Sequence, residues 1–494
     1  MIPALPNAIL LTFALYLAGM LAIGVAAYWR TADLGDYLLG GRQLGRWVTA
    51  LSAEASDMSG WLLLGLPGFA YTSGFEAGWI ALGLLTGTYL NWRLVALRLR
   101  HYTQQAGNAL TLPDFFEQRF GDRSRVLRVV SAAFILLFFT FYTSSGLVAG
   151  GKLFNTVFGL PYLQAVTAGA LVVVGYTFLG GFLAVSWTDL VQGLLMLFAL
   201  LVVPAVAIEL EGGVHATLAG VQQINPALLD PWTQASGQPL GVIGLLSLLG
   251  WGLGYFGQPH ILARFMAIRR PEVMGQARAI AVTWVTLTLI GAVLVGVAGN
   301  VFLPTALHGA DTETVFMALV RMIFHPVLAG VLLAAILAAI MSTADSQLLV
   351  ASSALAEDFY KALLRRNAGD RELVWVGRAA VLVIAVAAFL LAMNPDSRVL
   401  SLVAYAWAGF GAAFGPTVLL ALFWRRMTRN GALAGIVVGG LTVIVWKQLQ
   451  GGLFDLYEII PGFVFSTLGI VIASLLDRPP EQEITALFDT VGKA

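Results

Sequence analysis

The chain has 494 residues, 59% of them hydrophobic and only 11% charged, with a net charge of +1. A soluble domain carries about 25% charged residues, so the surroundings are mostly lipid, and the small net charge argues against a nucleic-acid partner. With no cysteine present, disulfides, thiol catalysis and thiolate-bound zinc are excluded.

Apolar runs fall at 5–28, 47–72, 76–97, 126–151, 162–182, 188–209, 240–262, 277–303, 325–353, 374–393, 399–424, 432–450 and 458–476. A span takes roughly 20 residues, so the reading is an all-α integral membrane protein with thirteen transmembrane helices. The first run lacks a basic leader and exceeds the roughly 7–15 apolar residues of a signal peptide, so it is read as an uncleaved helix. With the N-terminus outside, 24 of the 28 lysines and arginines fall on inside segments, and Lys152, Arg321, Arg398 and Lys447 fall outside. That split obeys the positive-inside rule and puts the C-terminus in the cytoplasm. Residues 1–480 read as one membrane domain and 481–494 as a short cytoplasmic tail. The 210–239 connection is polar and reads as a loop. No Walker motif is present, so ATP is not the energy source.

Two spans contain helix breakers at membrane depth. The second holds SAEASDMSG (52–60) and the seventh holds GWGLGYFGQP (250–259). Interrupted segments in corresponding positions of two halves point to a transporter site. The two lie five spans apart. Five is odd, so the halves, about 47–210 and 240–424, form an inverted repeat. Gly252, Gly254 and Gly257 spell G-x-G-x-x-G, but no βαβ pattern surrounds them, so this is no dinucleotide site. Close helix packing through Gly250 and Gly254 is the alternative reading of these glycines.

In the ninth span Ala339, Ser342 and Thr343 share a helix face. The Ala55 and Met58 carbonyls are likewise three apart at the break in the second. Hydroxyls and freed carbonyls suit a hard cation such as Na⁺. Back-bonding of the two hydroxyls to their own helix stays open as the alternative. Trp251 and Tyr255, four apart, form an aromatic wall or a core stripe.

The stretches ALSAEASDMSGWLLLGLPG (50–68), ALTLPDFF (109–116), GWGLGYFGQPHILARFMA (250–267), AILAAIMST (335–343) and AYAWAGFGAAFGP (404–416) are similar to the sodium/solute symporter family, and most to its bacterial proline-transporting branch. The resemblance covers nearly the whole chain. It implies a five-plus-five inverted-repeat (LeuT-like) core with discontinuous helices, and Na⁺-coupled import of L-proline across the cytoplasmic membrane, not enzyme activity. A symporter of another solute, or a proline-binding sensor without net transport, are the alternatives. The resemblance implies Na⁺ at Ala55, Met58, Ala339, Ser342 and Thr343, and proline at Tyr142, Trp251, Tyr255 and Pro259. Asp57 and Ser59 match positions for cation and substrate, and Arg42 and Asp189 match cytoplasmic-side positions. The helix restart at Ser59–Gly60 is expected to present free N–H groups to the substrate carboxylate. Two residues depart from the family pattern, Glu54 where it has glycine and Asp345 where it has a small neutral residue. Intramembrane acids are functional candidates, and Glu54 shares a face with Asp57, so it is a candidate for ion coupling. The alternative is that Glu54 faces water or pairs with an arginine.

Overall fold

The computed structural model describes residues 5–28, 34–177, 181–365 and 367–492. Of the inside-facing basic residues, Arg30, Arg366 and Lys493 lie outside them. The regular structure of the described residues is helical, apart from two isolated β-bridges. It runs α1 Leu5–Tyr28, α2 Leu34–Leu39, α3 Arg46–Asp57, α4 Leu66–Ser73, α5 Gly78–Leu90, α6 Leu97–Gln105 and α7 Leu112–Phe120. Then come α8 Val126–Phe158, α9 Tyr162–Thr177, α10 Phe182–Leu210, α11 Val214–Ile224, α12 Gly241–Leu249, α13 Pro259–Ala267 and α14 Met274–Phe302. The rest is α15 Val315–Ile323, α16 Pro326–Ser353, α17 Asp370–Ala392, α18 Val399–Phe423, α19 Arg429–Trp446, α20 Ile459–Leu476 and α21 Gln482–Gly492.

By length and apolar composition, ten helices among the described residues can cross a membrane, or eleven when the bent pair 241–257 and 259–267 counts as one span. The thirteen sequence-based spans differ for physical reasons. α3 has 12 residues and cannot cross alone. α9 is described over 16 residues, fewer than the roughly 20 of a full span, and so is not counted by length. Residues 61–105 form one 45-residue helical run, although the chain turns at Gly74, whose φ of 60° suits glycine.

α16 and α18 form the centre, each with 83% of its apolar window buried, while α1 has 22% and lies at the periphery. α16 packs on α10, α8 and α1, and α18 on α8 and the 250–257 turn. Four short helices were not legible as spans. α7 starts at Thr111, whose hydroxyl caps Asp114 N at 3.1 Å, with Pro113 in the first turn. α11 lies within the connection read as a loop, and α15 within 304–325. α21 occupies the short tail and buries Phe488 and Val491.

The glycines of the 250–257 turn are packing sites, as the alternative reading held. A Cβ on Gly252 falls 2.2 Å from Gly83 O, and one on Gly87 falls 2.2 Å from Gly252 O. The turn and α5 therefore touch backbone to backbone. A Cβ on Gly254 falls 1.9 Å from Trp407 Nε1, which donates to Trp251 O at 2.7 Å and cannot retreat without losing that bond. Gly254→Ala is expected to cost at least the roughly 1–3 kcal/mol of core overpacking. Thermal unfolding of purified protein checks this, with Gly275→Ala, where nothing lies within 4 Å, as the comparison. Equal melting of the two variants contradicts the packing argument.

Candidate functional site

α3 stops where its sequence offers Asp57, Ser59 and Gly60 instead of helix formers. Met58 leaves the helix at φ −78°, ψ 72°. Winding resumes as a π turn over Trp61–Gly65 and continues as α4. A break at membrane depth survives only if its polar groups find partners. Here Asp57 O accepts from Ser59 N at 2.9 Å, from Tyr142 OH at 3.0 Å and from Trp61 Nε1 at 3.3 Å. The second break is the tight 250–257 turn followed by extended Gln258, with Pro259 opening α13 and a 47° bend. Gln258 Nε2 satisfies Gly254 O at 3.1 Å. A two-way backbone bridge joins the two broken segments at their other ends, Leu44 N to Ala267 O at 3.2 Å and Arg269 N to Leu44 O at 2.9 Å.

On one side of the α3 break lies α16. Ser342 Oγ donates to Ala55 O at 2.8 Å and lies 3.2 Å from Ala339 O. Ser342 thus back-bonds within its own helix and also reaches across to the break. Thr343 Oγ1 is buried and makes no hydrogen bond among the described residues. Met58 is fully buried at the break. The local chemistry is a set of neutral oxygens from two helices, and no group of three or more His, Cys, Asp or Glu gathers among the described residues.

On the other side lies the aromatic turn. Tyr255 OH donates to Asp57 Oδ2 at 2.7 Å. Asn91 Nδ2 holds Tyr255 O at 3.0 Å. Trp251 faces Trp61 with ring centres 6.2 Å apart and Tyr457 at 5.5 Å. Tyr255 meets Trp407 edge-on at 5.0 Å. Pro259 is buried at the start of α13. Ser59 is buried, and its Oγ is 3.5 Å from Trp61 N. Gly60 packs against α8, where a Cβ would fall 2.7 Å from Ala149 Cβ.

The remaining candidates divide into separate groups. Among the described residues Glu54 neither faces water nor pairs with an arginine. It is buried, and Trp92 Nε1 donates to its Oε1 at 2.8 Å. Asp189 on α10 accepts from Ser52 Oγ at 2.6 Å and pairs with Arg264 at 3.2 Å. Arg264 also donates to Ser52 Oγ at 3.0 Å, to Ser346 Oγ at 2.5 Å and to His260 O at 2.9 Å. This cluster joins α3, α10, α13 and α16 on the N-terminal side of the α3 break, and the charge of Asp345 acts on Arg264 from α16. Arg42 stands apart from both groups. It bonds Met266 O at 2.6 Å, Ala109 O at 2.8 Å and Asn108 Oδ1 at 3.0 Å. Burial, with the nearby Arg100 charge, pushes its guanidinium down to about 10, so it stays charged at neutral pH. Arg264, Ser52, Ser346 and Trp92 were not singled out in the sequence. Arg264 had a usable signal, since it sits inside the apolar stretch HILARFMA (260–267), and an arginine so placed is a functional candidate.

A family model described as the sodium:solute symporter family matches residues 37–439. The sodium/proline symporter of Salmonella typhimurium is 56% identical over 98% of this chain and 96% of its own length. That of Escherichia coli is 54% identical over the same shares. A high-affinity proline transporter of Bacillus subtilis is 51% identical over 95% of this chain and 98% of its own. A substrate-bound, outward-open Na⁺-coupled sialic acid symporter superposes with a TM-score of 0.78 at 20% identity, covering 96% of this chain and 99% of its own. MhsT in complex with L-phenylalanine gives 0.53 at 15% identity, covering 88% of this chain and 98% of its own. The likeness to these two is one of fold, and that fold is LeuT-like.

Proposed function

The chain belongs to the sodium:solute symporter family, and from that premise we propose that it carries L-proline with Na⁺ into the cell across the cytoplasmic membrane by alternating access. One observation carries the reading. The α3 break turns the Ala55 carbonyl to Ser342 on α16 and the Asp57 carboxylate to Tyr255, four residues from Trp251. Identities of 51–56% to relatives named as proline transporters support the substrate.

In this reading Na⁺ takes the Ala55, Met58 and Ala339 carbonyls with the Ser342 and Thr343 hydroxyls. Proline lies against Trp251 and Tyr255, with Tyr142 and Pro259 closing the wall. An aromatic face suits both its ring and its secondary ammonium. The ion gradient drives the cycle, and each charge moving inward gains roughly 2.3 kcal/mol per 100 mV. The two broken segments belong to inverted repeats, about 47–210 and 240–424, within thirteen spans that leave the N-terminus outside and the C-terminus inside.

The test is uptake of radiolabelled proline into proteoliposomes with and without an inward Na⁺ gradient. Uptake that ignores the gradient removes the coupling, and binding without uptake favours a sensor. Trp251→Ala is expected to raise the half-saturating proline concentration about tenfold, since a desolvated cation–π contact is worth up to ~2 kcal/mol. Na⁺ binding measured without proline is expected to hold. Tyr255→Ala affects both, because its hydroxyl also holds Asp57. Unchanged proline affinity in both variants moves the pocket elsewhere.

A further inference from the structure

The aromatic wall has a member that lies outside both repeats. Tyr457 stands in the connection between α19 and α20, beyond residue 439, where the family match ends. Its ring centre is 5.5 Å from that of Trp251, with a tilt of 32°. Trp61 flanks the same indole at 6.2 Å and 39°. Tyr142 adjoins Trp61, and its phenol lies within electrostatic reach of the Tyr457 phenol. Four aromatic side chains therefore gather at one place, from α8, the α3 break, the 250–257 turn and the start of α20.

Tyr457 is anchored at both ends. Its hydroxyl donates to Ala404 O on α18 at 2.6 Å, and its backbone N–H donates to Ser247 Oγ on α12 at 3.0 Å. The next residue, Glu458, pairs with Lys447 at 3.3 Å. Ile459 is fully buried, and a Cβ on Gly250 would meet Ile460 Cδ1 at 3.0 Å and Ile459 Cγ2 at 3.4 Å. The first turn of α20 is thus wedged against the segment that carries Trp251. A phenylalanine would fill the same space. The hydroxyl adds a tie at the far edge of the ring, and a ring tied at both edges cannot swing away from the indole it backs. Sites hold their geometry when the rotamers that line them are locked by packing and by hydrogen bonds one layer out. An apolar pocket discriminates one methylene by roughly 10–200-fold, and a wall that yields loses that discrimination.

We infer that Tyr457 is a specificity-determining residue, acting through Trp251: it fixes the indole and so limits the solute to a cyclic amino acid whose ring is no larger than that of proline. The role is one of positioning. It rests on Trp251 being part of the substrate wall, and its test separates the two.

The experiment is competition by L-pipecolate, whose ring has one methylene more, against uptake of radiolabelled proline into proteoliposomes. The quantity read is the half-inhibitory pipecolate concentration divided by the half-saturating proline concentration. Wild type is expected to give a ratio of at least about ten, and Tyr457→Ala to lower it about tenfold, the small end of what one methylene is worth. Tyr457→Phe keeps the ring and loses the tie to Ala404 O, so its ratio is expected between the two. A variant that only folds less well lowers the maximal rate and leaves the ratio alone. A wild-type ratio in Tyr457→Ala, with Trp251→Ala still weakening proline, overturns the inference and leaves the wall in place. Normal proline affinity in Trp251→Ala removes the wall itself, and the inference with it. A ratio near one in the wild type overturns it as well. If the alanine variant does not fold, Tyr457→Leu keeps an apolar contact without the ring, and a wild-type ratio there is equally fatal.

Discussion

Replacing Arg264 with alanine is expected to destabilise the protein by about 3–5 kcal/mol, the cost of breaking a buried ion pair from one side. The guanidinium is fully buried and ties Asp189, Ser52 Oγ, Ser346 Oγ and His260 O together. It also lies 5.0 Å over the Phe182 ring. Alanine leaves Asp189 as a carboxylate with only Ser52 as donor, in a place water does not reach. Arg264→Met with Asp189→Asn removes both charges and keeps the volume, so much of the loss is expected to return. Thermal unfolding of the two variants beside wild type measures both steps. A melting point of Arg264→Ala equal to wild type sinks the argument. The same ties cross from α3 and α13 to α10 and α16, so the double variant is also expected to change the rate of uptake.

Removing the span-nine hydroxyls is expected to raise the half-saturating Na⁺ concentration at least tenfold for each oxygen lost. A contact to a charged group is worth roughly 1.5–3 kcal/mol, and 1.4 kcal/mol is a factor of ten. The two positions differ as tests. Ser342→Ala also cuts the 2.8 Å bond to Ala55 O that holds α16 to the break, so part of its effect is positional. Thr343→Ala breaks no hydrogen bond, because Thr343 Oγ1 makes none among the described residues. Alanine keeps the helix. Na⁺ titration of proline uptake at saturating proline reads the effect, and wild-type Na⁺ dependence in both variants places the ion elsewhere.

The two breaks were legible because glycine, serine and proline are conspicuous at membrane depth. That Ala339, Ser342 and Thr343 share a face was legible from the helical period, while their meeting with Ala55 came only from the family resemblance. What stayed hidden depends on pairing across distant helices. Nothing local in the sequence tells that Trp92 reaches Glu54, or that Ser52 and Arg264 converge on Asp189. Arg264 was counted with the cytoplasmic basic residues because a charge near a span end reads as interfacial, and only packing places it in the interior. The span count differed where length fails as a guide. α3 has 12 residues and gains its depth only with the segment beyond the break. The short helices α7, α11, α15 and α21 lie outside the apolar runs, where hydropathy carries no signal.

The backbone contact between α5 and the 250–257 turn has a mechanical consequence. Side chains that meet can change rotamer and let two helices slip. At Gly83, Gly87 and Gly252 there is no side chain to change, only carbonyl against Cα. A shear of even one residue would drive a carbonyl into the neighbouring chain. The wall that bears Trp251 and Tyr255 therefore travels with α5 whenever the molecule reorients. Spectroscopic labels at Leu82 on α5 and Leu246 on α12, both exposed to the surroundings, keep one separation from the outward to the inward state. Labels that change distance must sit across a boundary where side chains, not glycines, meet.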